Sequence, residues 1–154
     1  MLTIQTVENI KKGSRITFFN GIYTILLGLM YIIFLKPLIK MSFRSIDVIW
    51  QLFEKYNPQI SSLFIKMMVL KGIFVMAFGV IFIAFSAYIL KKKDKSAWAV
   101  LFFIGIIFWA SLFTLEVLSS NIYTIIASLI GWITFVIGMI LPIKYYAQRE
   151  YTNY

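Results

Sequence analysis

The chain has 154 residues, of which 61% are hydrophobic and 14% are charged, and its formal net charge is +9. Because soluble domains carry about a quarter of charged residues, this composition excludes an ordinary water-soluble fold and indicates one membrane domain over residues 1–154. Cysteine and histidine are both absent. Their absence excludes disulfides and thiolate metal sites and removes the commonest general base.

The amino-terminal part of the chain predicts a surface helix followed by a first transmembrane helix. Ile4, Val7 and Ile10 recur at three-residue spacing, which is typical of a short helix lying on a membrane. Gly13 marks a break after it. The apolar run 16–35 then reaches about 30 Å at a rise of about 1.5 Å per residue, which is enough to cross a bilayer.

The connection after the first span predicts an interfacial helix at about 45–56. Proline at position 37 ends the first span, because it cannot continue the helical hydrogen bonds. Apolar residues then recur at i, i+3, i+4 and i+7, and they are Ile46, Ile49, Trp50 and Phe53. Ser45 caps this amphipathic helix and Asn57-Pro58 stops it. We expect Trp50 to anchor it at headgroup depth; a lid or a partner-docking helix is the alternative.

Three further apolar runs predict the remaining transmembrane helices, at about 63–90, 97–118 and 122–143. A tight basic turn at 91–95 joins the second to the third, and Trp98 after it is the second expected interfacial anchor. A short uncharged turn at 119–121 joins the third to the fourth. The expected fold is therefore all-α: a four-transmembrane-helix bundle with an interfacial helix between helices one and two.

The distribution of lysine and arginine predicts the orientation. Nine of them lie in the amino terminus, the 91–95 turn and the carboxyl tail, and six lie on the opposite side. The positive-inside rule then places both termini in the cytoplasm of a multi-pass protein of the cell membrane. Since the basic residues lie between apolar runs, topology and anionic lipid account for the positive charge, and nucleic acid is not an expected partner.

Glycines recur in pairs seven residues apart. Three pairs have this spacing, namely Gly21 and Gly28, Gly72 and Gly79, and Gly131 and Gly138. Seven residues are close to two helical turns, so each pair lies on one helix face. Small residues let helix backbones approach in a membrane, and we therefore expect these glycines to be helix-packing positions; a ligand crevice beside them is the alternative.

Lys71 and Glu116 are the charged residues that the sequence selects as a candidate polar site. Counted from the 91–95 turn, the two side chains reach nearly the same depth near the far membrane surface. Charged side chains in a span are costly and usually paired. The pair is therefore a structural ion pair at one end of the helices or, as the functional alternative, a proton or cation relay or a ligand clamp.

The stretch 71–99 has Lys71-Gly72 and Gly79 in the second helix, then the basic turn, then Ala97-Trp98 at the start of the third. This arrangement resembles a pattern found in small DoxX-like and uncharacterised four-helix membrane proteins. The resemblance implies a four-helix integral membrane fold, in some cases part of larger membrane or respiratory assemblies. It implies no catalytic residue.

These observations lead to two expected functions. The first is a non-enzymatic accessory or scaffold subunit of a larger membrane complex, in contact with lipids and with other subunits or a second copy of itself. The second is a small-molecule or ion transporter or binder with a pocket near Lys71 and Glu116. No phosphate loop, nucleophile motif, catalytic carboxylate pair or metal-ligand set occurs, so catalytic residues, metals and cofactors are not predicted. A membrane enzyme is the third and last alternative, and it would need a cofactor or a lipid substrate that the sequence does not indicate. The Ile-, Lys- and Phe-rich composition indicates a prokaryote.

Overall fold

The computed structural model describes residues 4–44, 46–92, 94–143 and 146, and these residues are arranged in α-helices joined by short turns. The helices are α1 (Ile4–Ile33), α2 (Leu35–Arg44), α3 (Trp50–Tyr56), α4 (Pro58–Lys92), α5 (Lys95–Leu118) and α6 (Ile122–Ile140). No strand occurs within the described residues. The prediction of an all-helical chain is confirmed.

Four of these helices are long and apolar enough to cross a membrane. The qualifying segments are Glu8–Ile33 in α1, Pro58–Ile89 in α4, Lys95–Leu118 in α5 and Ile122–Ile140 in α6. The shortest has 19 residues, which gives about 28 Å at a rise of about 1.5 Å per residue. Large apolar side chains such as Phe103 and Ile107 are about two-thirds exposed on their outer faces. Length and surface together indicate a membrane protein, as the sequence predicts.

The predicted break at Gly13 is wrong, because α1 continues through it as one helix. Tertiary contacts explain the continuity. A Cβ atom at Gly13 would lie 2.6 Å from the Gly138 carbonyl oxygen, and Ser14 Oγ donates a hydrogen bond of 2.5 Å to the Ser86 carbonyl oxygen. Such contacts outweigh the cost of about 1 kcal/mol for one glycine inside a helix. Ile10, which the sequence places on a surface helix, is buried.

The predicted helix at 45–56 is also wrong in its extent, since only Trp50–Tyr56 is helical. Residues 46–49 form a turn in which Asp47 has a positive φ of 56°, and Ser45 lies outside the described residues. The connection instead contains α2, which begins at Leu35. Pro37 lies in its first turn, where a missing N–H group breaks no intrahelical hydrogen bond. The sequence analysis treated this proline only as a stop signal.

Helices α2 and α3 pack on the first turns of α4 through aromatic rings. The Phe43 ring lies 4.8 Å from the Trp50 ring and 5.4 Å from the Phe64 ring, measured between centroids. Trp50 is only 5% exposed. Its ring is thus enclosed in this aromatic cluster rather than presented outward, and its role as an anchor at headgroup depth remains a prediction. Burying such rings against each other stabilises the fold of the connection.

The helix ends differ from the predicted span boundaries. Helix α4 starts at Pro58, five positions before the predicted 63, because proline suits the first helical position. Helix α5 starts after Asp94, whose side chain accepts a hydrogen bond of 3.0 Å from the Ala97 backbone N–H. Helix α6 ends at Ile140, before 143. Lys93 in the basic turn lies outside the described residues.

Helix α1 is central, because it packs along both α4 and α6, while α5 packs on α6 and α4. The face of α1 that meets its neighbours is small and polar: Ser14, Thr17, Asn20 and Thr24 are all buried. Asn20 Nδ2 donates hydrogen bonds of 2.8 Å to the Gly131 carbonyl oxygen and to Thr134 Oγ1, which ties α1 to α6. Close approach and interhelical hydrogen bonds hold helices together where lipid is as apolar as leucine.

Candidate functional site

Lys71 and Glu116 meet at the end of the protein where α1 and α5 terminate. Lys71 Nζ forms a salt bridge with Glu116 Oε1. The Tyr31 hydroxyl, from the last turn of α1, donates a hydrogen bond of 2.6 Å to the same carboxylate oxygen. The structure thus brings together the two charges that the sequence selected and adds Tyr31, which the sequence analysis missed. The available signal was spacing, since Tyr31 lies three residues after Gly28 on the same helix face.

The side chains of Tyr31, Lys71 and Glu116 interact with one another in a largely buried position. The side chain of Glu116 is 2% exposed and that of Lys71 is 18% exposed. Lys71 Nζ also lies 4.4 Å from the centroid of the Tyr31 ring, where the ring face attracts a cation. The carboxyl ends of α1 and α5 add partial negative charge near the ammonium group. A carboxylate is costly in a dry interior unless it is paired and hydrogen-bonded, and here it is both.

The second carboxylate oxygen of Glu116 is less completely bonded. Its contact with Ser119 Oγ is 3.4 Å, at the long limit for a hydrogen bond. The Ser119 hydroxyl makes its shorter bond, 2.8 Å, to the Glu116 carbonyl oxygen. Since a carboxylate oxygen accepts more than one hydrogen bond, Oε2 keeps capacity for a donor from a bound molecule.

A cavity of about 350 Å³ adjoins this group. Its polar lining comes from the ion pair, Tyr31 and the start of α6, and its apolar lining comes from α2, the following turn and α4. The lining residues are Tyr31, Leu38, Ser42, Phe43, Ile46, Phe64, Met68, Lys71, Glu116, Leu118, Ser119, Asn121 and Thr124. This volume lies at the lower end of the range for small-molecule sites, and the mixture of apolar walls with a few polar groups is typical of them.

A second, larger space of about 780 Å³ runs between α4 and α5. The side chains along it are apolar apart from Lys71 and Ser111. Phe78 and Phe108 both line it, and their rings stack with centroids 4.4 Å apart. We call this space the α4–α5 groove. Lys71 is the one residue that lines both the cavity and the groove among the residues described for them.

The predicted glycines all lie at helix contacts. A Cβ atom at Gly21 would lie 2.9 Å from the Gly79 carbonyl oxygen, and one at Gly28 would lie 2.7 Å from the Gly72 carbonyl oxygen. A Cβ atom placed at Gly72 or at Gly79 of α4 would in turn come too close to a backbone carbonyl oxygen of α1. Real Cβ atoms are not found at such distances, so the backbones of α1 and α4 touch at all four positions.

Helix α6 uses its two predicted glycines differently. A Cβ at Gly131 would overlap the ring of Trp109 from α5, and one at Gly138 would lie 2.7 Å from Thr17 Oγ1 of α1. A glycine outside the predicted set, Gly105, accommodates the ring of Phe135 in the same manner. None of these three glycines is among the residues that line the cavity or the groove.

Trp98, the other expected anchor, is half-buried between α5 and the end of α6. Its Nε1–H donates a hydrogen bond of 3.2 Å to the Met139 carbonyl oxygen, and its ring stacks 5.1 Å from that of Tyr146. Two buried atoms in the protein interior, Asn20 Oδ1 and Trp109 Nε1, have no hydrogen-bond partner among the described residues. Neither residue lines the cavity beside Glu116.

The groups at this site can form hydrogen bonds and ion pairs. Within the part of the chain that the structure describes, no group of three or more acidic or other metal-ligating side chains could hold a metal ion. The ion pair offers one cation, one carboxylate and nearby hydroxyl and amide groups, which recognise a polar group by hydrogen bonds. No family model matches the sequence, and comparisons with curated proteins and with solved structures give no match either.

Proposed function

We propose that this protein is a non-enzymatic, multi-pass protein of the cell membrane that binds a small molecule beside Lys71 and Glu116. The observation that carries the proposal is the enclosed ion pair that opens onto a cavity of about 350 Å³. A purely structural ion pair needs no such space next to it. Here Glu116 lines the space, and its Oε2 has only a long contact of 3.4 Å with Ser119 Oγ.

The proposed architecture is a four-transmembrane-helix bundle with both termini in the cytoplasm. In this arrangement the cavity lies near the outer membrane surface, α2 and α3 lie along that surface, and α2 covers the cavity. Lys36, Lys40 and Arg44 of α2 then face the headgroup region on the outer side, where their long side chains extend toward water. The charge distribution of the sequence supports this orientation.

Cysteine labelling tests the orientation directly, because the chain contains no native cysteine. Ser96 and Ser120 are both exposed and lie at opposite ends of α5. In intact cells, Ser120→Cys should react with a membrane-impermeant maleimide, and Ser96→Cys should react only after lysis. The opposite pattern would refute the orientation and place the cavity on the cytoplasmic side.

Binding is tested by native mass spectrometry of protein purified in a mild detergent. Wild type should carry a stoichiometric non-protein mass, and Glu116→Gln should lose it because the carboxylate is part of the site. Glu8→Gln is the matched control, since Glu8 is an exposed acid that pairs only with Lys12 on the same helix among the described contacts. Circular dichroism must show that all three proteins are equally helical. Equal occupancy in Glu116→Gln, or an absence of bound mass in wild type, would contradict the proposal.

The second candidate function is an accessory or scaffold subunit of a larger membrane complex. The observation that favours it is a row of exposed isoleucines on α6, at Ile126, Ile130, Ile133 and Ile137. Their spacing of four, three and four residues is the pattern with which helices interlock. Mass analysis of everything that co-purifies tests this function: a stoichiometric foreign subunit supports it, and a chain that travels only with lipid or small molecules speaks against it.

A further inference from the structure

The cavity and the α4–α5 groove meet at Lys71. The cavity has charged, hydroxyl and amide groups among its apolar walls, whereas the groove is apolar apart from Lys71 and Ser111. A ligand with a polar head and an apolar chain matches this difference, with its head on one side of Lys71 and its chain on the other. A compact polar solute would use only the cavity, and a pure hydrocarbon would use only the groove.

The part of the groove beyond Lys71 has the depth of one leaflet of a bilayer. On α4 the whole groove extends from Met67 to Ile81, and its part from Lys71 to Ile81 is about 15 Å long at a rise of about 1.5 Å per residue. The hydrocarbon core of a bilayer is about 30 Å thick, so half of it is about 15 Å. An alkyl chain that lies in the groove with its polar end at Lys71 therefore has the depth and direction of a lipid chain in that leaflet.

The charges at the junction favour an uncharged head. Lys71 and Glu116 neutralise each other in the salt bridge, so an anionic head would be repelled by the carboxylate and a cationic head by the ammonium group. A head with hydroxyl and carbonyl groups meets neither penalty. It can donate to Glu116 Oε2, whose 3.4 Å contact with Ser119 is long, and it can accept from Lys71.

We propose that the site binds a neutral amphiphile, with its hydroxyl- or carbonyl-bearing head in the cavity and its alkyl chain in the α4–α5 groove. This inference rests on the proposed small-molecule function and specifies its ligand class. It assigns the groove a ligand-binding role that differs from the general coating of the other helix faces by lipid. It also gives the ion pair a second role, selection against charged heads.

Photo-crosslinking of the full-length protein in nanodiscs tests this inference. The probe is a monoacylglycerol with a diazirine in its acyl chain, and the labelled positions are mapped by peptide mass spectrometry. Ser111→Trp fills the groove without changing a residue that lines the cavity. Thr114→Trp is the matched control, because Thr114 is an exposed hydroxyl residue on the same helix that lines neither space.

Wild type and Thr114→Trp should be labelled mainly within 71–81 and 104–115. In Ser111→Trp the amount of label in these segments should be about tenfold lower than in wild type, which is equivalent to about 1.4 kcal/mol of binding free energy. Unlabelled monoacylglycerol should compete, whereas the fatty acid of equal chain length should compete weakly. In Glu116→Gln the total label should fall together with the bound mass, and for the label that remains the Lys71 charge should make the fatty acid the stronger competitor. The reversal is a readout that a merely structural ion pair would not produce.

Label spread evenly over all outward helix faces and unchanged in Ser111→Trp would overturn the inference. The native mass measurement separates this failure from failure of the proposed function. Bound mass that persists in Ser111→Trp but is lost in Glu116→Gln refutes the chain in the groove and leaves the cavity site standing. Bound mass that is insensitive to both substitutions refutes the two together.

Discussion

The Lys71–Glu116 pair should show strong energetic coupling when its two members are removed singly and together. The substitutions are Lys71→Met, which keeps an unbranched apolar stem, and Glu116→Gln, which keeps the shape of the carboxylate. Each single change leaves the other residue without its charged partner. The double variant removes both charges, so nothing in the site is left as an uncompensated charge.

The structure sets the size of each effect on the free energy of unfolding. In Lys71→Met the carboxylate stays enclosed but keeps the Tyr31 hydrogen bond, so the loss should be about 3 kcal/mol, at the low end for breaking a buried pair. In Glu116→Gln the Lys71 ammonium group stays over the Tyr31 ring and the Lys71 side chain is 18% exposed, so the loss should be about 2 kcal/mol. The double variant should lose about 3 kcal/mol, which corresponds to a coupling of about 2 kcal/mol.

Unfolding by sodium dodecyl sulfate in mixed micelles, followed by circular dichroism, provides the measurement. The control is the same cycle on the exposed pair of Glu8 and Lys12, whose side chains are 56% and 60% exposed. Exposed pairs one turn apart contribute little, so this cycle should be additive. If the effects of the Lys71 and Glu116 substitutions are also additive within about 0.5 kcal/mol, the two side chains do not form a desolvated pair in which each stabilises the other.

Three further predictions use the same unfolding assay. Gly79→Leu should lower the free energy of unfolding by about 2 kcal/mol, because a Cβ atom there would lie 2.7 Å from the backbone of α1. The control Ala77→Leu, at an exposed position on the same helix, should lower it much less, and equal losses would refute the backbone contact. Tyr31→Phe should lose about 2 kcal/mol because Glu116 loses its 2.6 Å donor, and an unchanged stability would show that the hydroxyl is dispensable. Asp94→Ala should lose about 1 kcal/mol with its capping bond, and no loss would contradict the cap.

The errors in the sequence analysis lie where local signals compete with tertiary contacts. Gly13 and Pro37 both read as helix stops, yet each is accommodated inside a helix. At Gly13 the reason is the backbone of α6, which approaches closely only because no side chain intervenes. At Pro37 the reason is its place in a first turn, which depends on where α1 ends. Neither reason is visible in the neighbouring residues.

The amino-acid sequence is sufficient to predict that the chain is helical, that four helices are long enough to cross a membrane, and that Lys71 and Glu116 reach one depth. These properties depend on the lengths of apolar runs and on a constant rise per residue, which are local quantities. Three features become visible only when the helices are packed: Tyr31 joins the pair, α2 with its Phe43 covers a cavity beside it, and Lys71 lines both this cavity and an apolar groove. Those features depend on which faces of different helices meet, and that choice follows from side-chain packing between distant parts of the chain.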